Sequence, residues 1–190
     1  MELPMMFNLH HPLNLEVIGA EAQHDNMQSA AYRVIWGFLR KCPASKVRFC
    51  IFDPKEGGGS VRMLSNFVNK MPDSYKRAVT QMSRTEELLS CLKELEGQTL
   101  DFIRDRPDYD DLLDYNAHNP RRTEAITLLM LYDFPLNADA RCLELLSSVM
   151  QKGNRCGIYV VLCRNTAVEV ASSYDHIDEK LAELEKNCVQ

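Results

Sequence analysis

Two aspartates are placed at the ends of apolar stretches that predict buried strands. Asp133 lies near the end of residues 128–134, and Asp53 directly follows residues 47–52. Short, continuously apolar runs of this kind are typical of strands covered on both faces in a parallel sheet. In open α/β sheets, ligands bind at the carboxyl ends of the strands. Both carboxylates are therefore candidates for a ligand-binding edge, and Asp133 is the central one.

Other reactive arrangements are missing from the sequence. The histidines and cysteines have no metal-ligand spacing between them, so no metal site is predicted, and there is no G-x-S-x-G motif for a serine nucleophile. The acidic run from Asp105 to Asp114 lacks the glycine and final glutamate of a calcium loop, and a solvated helix start explains it better. The basic pairs are too small to indicate nucleic-acid binding by themselves; they are Arg121 with Arg122 and Lys152 with Arg155.

Composition predicts one globular domain. The chain has 190 residues, of which 45% are apolar and 26% charged, and its net charge of -5 gives no overall basic surface for nucleic acid. The seven cysteines form no CxxC pair and lie mostly in apolar segments, as reduced cysteines of cytosolic proteins do. No apolar run is long enough to span a membrane, and residues 1–12 do not resemble a secretory signal. A cytoplasmic location is therefore predicted.

The first part of the chain predicts a βαβ unit. Residues 14–18 and 47–52 read as strands, and residues 25–41 between them carry apolar side chains at helical spacing. Asp25 with Gln28 three residues later is a capping-box pattern, which predicts that the helix begins at Asp25. Strands joined through a helix are parallel, so a mostly parallel sheet is expected.

The rest of the chain predicts further strands and helices. A Ser83 and Glu86 capping box starts a helix that ends at Gly97 or continues to Arg104. The other expected helices cover residues 61–67, 110–116, 139–152 and 175–188, and the other expected strands are an edge strand around residues 78–79 and the buried strands 128–134 and 157–163.

The landmarks resemble one family. They are Asp-Pro-Lys after the strand 47–52, the apolar strand that carries Asp133, the segment GNRCGIYVVLCRN at 153–165, and Tyr115-Asn116 before the central strand. In order and spacing these resemble the motor domains of FtsK/SpoIIIE-type DNA translocases and their relatives in type VII secretion. The similarity runs from about residue 14 to about residue 170.

The resemblance implies a three-layer RecA-like P-loop NTPase fold with a mostly parallel sheet. Residues 19–26 would be the phosphate loop, Asp133 the Walker B carboxylate and Asn165 the polar sensor. Asp53 and Lys55 would belong to the inherited Asp-Pro-Lys motif, without a catalytic role. Few strands are visible and the chain turns polar and helical after Asn165, so we expect either a fragment or a pared-down domain.

The phosphate loop departs from the family pattern. Against G-x-x-x-x-G-K-[ST], only Gly19 matches; His24 stands for the second glycine, Asp25 for the lysine and Asn26 for the hydroxyl residue. Asp25 puts negative charge where a phosphate would bind at the helix N-terminus. In addition, Phe134 stands where hydrolytic members usually carry a second acid. The resemblance therefore implies a degenerate site with vestigial Asp133 and Asn165, no catalytic residues, and no bound ATP or magnesium.

Three functions remain open at this point. The first is a degenerate ATPase module that does not hydrolyse ATP by itself and packs against other ATPase domains of a DNA translocation or type VII secretion-like assembly, with DNA contacted through the assembly. The second is a nucleotide-binding, active ATPase whose phosphate contacts come from a neighbouring subunit. The third is a stand-alone protein-interaction domain. In each case residues 1–190 form one domain, with a core at about 13–170 and a helical tail at 171–190.

Overall fold

A six-stranded parallel sheet lies at the centre of the chain. The computed structural model describes residues 14–19, 24–54, 66, 68–166, 177–186 and 188–189. Within these ranges the strand order is β3-β2-β4-β5-β1-β6, and all neighbouring strands are parallel. The strands are β1 (Asn14–Gly19), β2 (Val47–Phe52), β3 (Val79–Met82), β4 (Ile126–Phe134), β5 (Ile158–Asn165) and β6 (Cys188–Val189).

The central strands are buried on both faces, as their apolar sequences predict. Every residue of β4 is buried, and in β5 only Arg164 is partly exposed. The predicted strands at 14–18, 47–52, 128–134 and 157–163 are confirmed with small changes at their ends. The expected edge strand is also confirmed: β3 begins at Val79, and among the described strands it pairs with β2 alone.

α-Helices connect the strands, and six of them have both ends within the described residues. They are α1 (His24–Lys41), α2 (Asp73–Lys76), α3 (Thr85–Asp105), α4 (Leu112–His118), α5 (Ala140–Lys152) and α6 (Ile177–Glu185). Short 3-10 turns lie at Ala44–Lys46 and Gly153–Cys156. The helix predicted at 61–67 falls almost entirely outside the described residues.

The helices form the two outer layers. The ring of Phe38 in α1 lies 6.1 Å from that of Tyr159 in β5. The adjacent residue Ile158 points to the opposite face, because side chains alternate along a strand, and there it lies beside Val149 of α5 and Gly153. Helix α3 packs against α5 on that side. The result is a three-layer α/β architecture.

Two predicted helix starts are wrong by one residue. Helix α1 begins at His24, so Asp25 is its second residue and not its N-cap. At the start of α3, the backbone N–H groups of Ser83 and Arg84 donate to the carboxylate of Glu87, at 3.0 and 3.2 Å, instead of using Glu86. Helix α3 also passes through Gly97 and continues to Asp105, which agrees with the longer of the two predicted extents.

The Tyr115-Asn116 segment has a structural role in α4. The side chain of Asn116 accepts from the Glu124 N–H at 2.7 Å and donates to the Glu124 carbonyl at 3.0 Å. Arg106 lies over the Tyr115 ring, 4.4 Å from its centroid, and forms an ion pair with the Glu124 carboxylate. These contacts fix the loop that leads into β4.

The end of the chain differs from the prediction. Only helical structure is expected beyond Asn165, and α6 agrees with that, but Cys188–Val189 form β6 and extend the sheet beyond β1. A two-residue strand is too short for a periodicity signal. Across the described ranges, no helix combines the length and apolar character needed to cross a membrane.

Candidate functional site

The candidate residues meet at the carboxyl edge of the parallel sheet. Gly19 pairs with Asn165 in the register of β1 and β5, and the N–H of Thr166 donates to the Gly19 carbonyl at 3.0 Å. Asp53 follows the last residue of β2, where its N–H donates to the Met82 carbonyl at 2.9 Å. The expected placement of these residues at one edge is therefore observed.

Asp133 and Asn165 are in direct contact. The side-chain amide of Asn165 donates to Oδ1 of Asp133 at 2.9 Å. Asp133 is 1% exposed and Asn165 is 2% exposed. The contact joins the ends of β4 and β5 inside the protein, where a hydrogen bond to a carboxylate is strong and its loss is costly.

A bulge in β4 aims Asp133 toward Asn165. Leu131 pairs with Leu162, but the next pair is Phe134 with Arg164, so β4 contains one residue more than β5 over this step. Asp133 has a left-handed backbone with φ of 48°. Asp is one of the few residue types other than glycine that adopt this conformation readily, and bulges commonly re-aim a side chain at a site.

Phe134 is part of the core and not of an open site. It is 3% exposed and lies in the sheet beside Arg164. Hydrolytic members of the resembled family usually carry an acid at this place. At the position that follows Asp133 in β4, the chain therefore carries a buried aromatic side chain and not an acid.

Sequence reasoning missed two tyrosines whose pKa values respond to the charge of Asp53. Burial and the charge of Asp53 raise the pKa of Tyr32 in α1 to about 12. Tyr132 in β4 is 2% exposed, and burial raises its pKa well above the ordinary value. Its hydroxyl makes no hydrogen bond within the described residues. The sequence signal for both tyrosines is the same as for ordinary core residues, since each lies at an apolar position of its element.

The charges of both acids act on one buried thiol in β5. Cys163 in β5 has its pKa raised to about 12, first by burial and then by the charges of Asp133 and Asp53. Cys163 is 1% exposed. Cys163 is therefore a protonated, neutral thiol in the core beneath this edge, and not a nucleophile.

The predicted phosphate loop is described only in part. Residues 20–23 and Lys55 lie outside the described residues, while Gly19 ends β1 and Asn26 is exposed on α1. Asp25 lies in the first turn of α1, whose N-terminus would face a phosphate in a working loop. The nucleotide-related roles of Gly19, Asp25, Asn26, Asp53 and Lys55 stay predictions. No group of three or more His, Cys, Asp or Glu side chains in the described ranges could hold a metal ion.

Comparison with solved structures identifies the fold. The chain superposes on the cytoplasmic domain of the Thermomonospora curvata type VII secretion ATPase EccC with a TM-score of 0.62 and 16% identity, covering 93% of this chain and 20% of that one. For the pCW3 conjugation coupling protein TcpA, in its monomer form with ATPγS, the TM-score is 0.66 and the identity 11%, and the match covers 95% of this chain and 48% of TcpA. For the cytoplasmic domain of EssC the TM-score is 0.59 and the identity 14%, and the match covers 88% of this chain and 31% of that one. No protein-family model and no curated protein matches the sequence.

The chain has the RecA-like α/β fold of P-loop ATPases. The parallel sheet with helices on both faces agrees with the similarity to ATPases of type VII secretion and to a conjugation coupling protein. The chain spans between a fifth and a half of the length of these proteins.

Proposed function

We propose that this chain is an ATPase-fold module that does not hydrolyse ATP by itself and packs against active ATPase domains of a translocation or secretion assembly. The observation that carries the proposal is the buried pair of Asp133 and Asn165 at the end of β4, with Phe134 beside it in the core. The carboxylate that would serve a magnesium ion is held by a neutral amide of the protein.

The charges around α1 support the same conclusion. A phosphate loop binds with backbone N–H groups, a lysine and a hydroxyl residue that reaches magnesium. Here Asp25 occupies the first turn of α1, and its negative charge opposes that of a phosphate at the helix N-terminus. Losing the electrostatic contribution of one such charged group costs about 3 kcal/mol or more of transition-state stabilisation. Phe134 removes a second contribution.

The proposed partners are ATPase domains of the same fold. One of the similar structures contains EccC ATPases 2 and 3 together, which is an arrangement of several such domains in one chain. The present chain covers 20% of the EccC chain and 31% of the EssC chain, which is consistent with one module of such a protein. We expect DNA contact, if the assembly moves DNA, to come from the assembly, since this chain has a net charge of -5.

Titration with ATP and magnesium tests the loss of nucleotide binding. The purified chain is expected to show no binding up to millimolar ATP and no hydrolysis, with or without DNA. A matched variant with His24→Gly, Asp25→Lys and Asn26→Thr restores the phosphate-loop pattern and is expected to gain binding. Millimolar or tighter binding by the unchanged chain, lost in Asp133→Ala and kept in the surface variant Asp101→Ala, would favour the active ATPase completed by a neighbour.

A gene-level observation tests the proposed assembly. An intact G-x-x-x-x-G-K-[ST] loop elsewhere in the same reading frame, or in a subunit that co-purifies with this chain, is expected. If all co-purifying chains lack such a loop, the stand-alone interaction domain becomes the better account.

A further inference from the structure

A groove lies between α3 and the strands β2 and β3. Its volume is about 640 Å³. The charged residues on its walls are Arg48, Arg77, Glu87 and Glu94, and its lining includes the thiols of Cys50 in β2 and Cys91 in α3. Neither cysteine belongs to the site that contains Asp133.

The two thiols form a pair. Both are free, and both are partly exposed. The two side chains line the same groove and are within hydrogen-bonding reach of each other. A hydrogen bond between two sulfur atoms brings them close together, and their joint position in an open groove makes both accessible to a small reagent.

Cys50 differs from the other cysteines in its acidity. The hydrogen bond from Cys91 lowers the pKa of Cys50 against the opposing effects of burial and of Glu94, and Arg48 lowers it further. In Cys91 the same contact and burial raise the pKa. The remaining five thiols have a raised pKa, chiefly because of burial; they are Cys42, Cys142, Cys156, Cys163 and Cys188. The thiolate is the reactive form of cysteine, so Cys50 is the expected nucleophile.

We propose that Cys50 and Cys91 are a peroxide-reactive dithiol that closes to a disulfide between β2 and α3. The Cys50 thiolate attacks one oxygen of hydrogen peroxide, which breaks the O–O bond and gives a sulfenic acid and hydroxide. The Cys91 sulfur then attacks the Cys50 sulfur, a disulfide forms, and the hydroxyl leaves as water with the Cys91 proton. Two thiols and one peroxide give one disulfide and two waters.

This arrangement fits the general pattern of redox-sensing cysteines. Such cysteines have a low pKa, are accessible to solvent and lie next to a second cysteine that resolves the sulfenic acid. The disulfide would cross the floor of the groove and tie α3 to the sheet, so oxidation would alter this surface while leaving the Asp133 edge unchanged. The inference does not depend on the proposed ATPase-related function.

Oxidation of the reduced protein with one equivalent of hydrogen peroxide at pH 7 tests the proposal. We expect the loss of two of the seven thiols without added oxygen, and a cross-link between the tryptic peptides 49–55 and 85–93, which contain Cys50 and Cys91. Dithiothreitol should restore both thiols. Oxygen adducts on Cys50 with Cys91 still free, or equally fast oxidation of Cys42, would overturn the proposal.

Single variants separate the roles of the two cysteines. Cys91→Ala is expected to accumulate a Cys50 sulfenic acid that dimedone traps, and to slow alkylation of Cys50 at pH 7 by roughly several-fold, because the hydrogen-bond donor is removed. Cys50→Ser should leave Cys91 unreactive. Cys42→Ser, the matched control at another partly exposed cysteine, should give the same disulfide yield as the unchanged chain. Thermal unfolding of each reduced variant establishes that it is folded, and a fast Cys91 reaction in folded Cys50→Ser would contradict the assignment.

Discussion

The side chain of Asn165 holds the carboxylate of Asp133 at 2.9 Å across the ends of β5 and β4. Both residues are buried, and the one-residue bulge in β4 brings the carboxylate to the amide. The contact makes Asp133 part of the structure that fixes the carboxyl edge of the sheet. It also gives a direct way to measure whether this edge serves stability.

Asn165→Leu is expected to destabilise the fold by about 2 kcal/mol, because it removes a buried hydrogen bond to a carboxylate. Asp133→Asn should cost less than Asp133→Ala, since asparagine keeps an oxygen acceptor and tolerates the φ of 48° at this position. Urea unfolding followed by circular dichroism measures each change. Gln151→Ala, which removes a side chain on the exposed side of α5, is the control. Equal stability of Asn165→Leu and the unchanged chain would show that the contact contributes nothing.

The central sheet was predictable because its strands carry an unambiguous pattern. Residues 47–52 form β2 with the predicted bounds, and β4 extends the predicted strand by two residues at its start. A strand buried on both faces must be apolar throughout, so burial and sequence report the same property. The order of these strands and of the helices between them along the chain was then predictable from the sequence.

The contacts at the edge were less predictable because they depend on register. The bulge near Asp133 shifts the pairing of β4 with β5 by one residue, and no residue pattern in 128–134 marks it. The cap of α3 shifted from Glu86 to Glu87, two adjacent acids that serve a helix start equally well in sequence. The charge of Asp53, which follows β2, affects the pKa of Tyr32 in α1. The two residues are distant in the sequence, so their spacing does not predict this interaction.

Gly157 is expected to tolerate no side chain. Its φ is 72°, and an added Cβ would lie 2.2 Å from Cδ2 of the buried Leu112. Gly157→Ala should therefore destabilise the fold by about 2 to 4 kcal/mol, from the left-handed backbone and from overpacking. Thermal unfolding measures the effect.

Gly97→Ala is the matched control for Gly157→Ala. Gly97 lies inside α3, and an added Cβ would meet nothing within 4 Å. Alanine is the better helix former, so this change should stabilise the fold by about 0.5 to 1 kcal/mol. Opposite signs for the two substitutions are the expected result, and a loss of stability in both would contradict the open surroundings of Gly97.

Asn116→Leu is expected to loosen the loop before β4. The change removes both hydrogen bonds to the Glu124 backbone, at 2.7 and 3.0 Å, and leaves a partly buried N–H and carbonyl to find other partners. A cost of about 2 kcal/mol follows from two such bonds. Amide hydrogen exchange at Glu124 should rise in the variant, while exchange in β2 stays unchanged. Unaltered exchange at Glu124 would show that the loop is held by the Arg106 contacts alone.

The carboxylate of Glu87 should make the stability of α3 depend on acid pH. Three hydrogen bonds lower the pKa of the Glu87 carboxyl group from 4.5 to about 2. They come from the Ser83 backbone, the Arg84 side chain and the Arg84 backbone. A carboxyl group whose pKa is lower in the folded state stabilises the fold above the unfolded pKa, and this contribution is lost as the pH falls from about 4.5 to about 2. Glu87→Gln should therefore be less stable than the unchanged chain at pH 7, and the difference should shrink across that window. Denaturant unfolding at a series of pH values measures this difference in unfolding free energy.

Glu86→Gln is the control, because it removes the same charge from the neighbouring exposed position without the Ser83 and Arg84 contacts. The change of its unfolding free energy with pH, relative to the unchanged chain, should be smaller. A constant difference for Glu87→Gln between pH 7 and pH 2 would show that the charge of Glu87 does not stabilise the helix start.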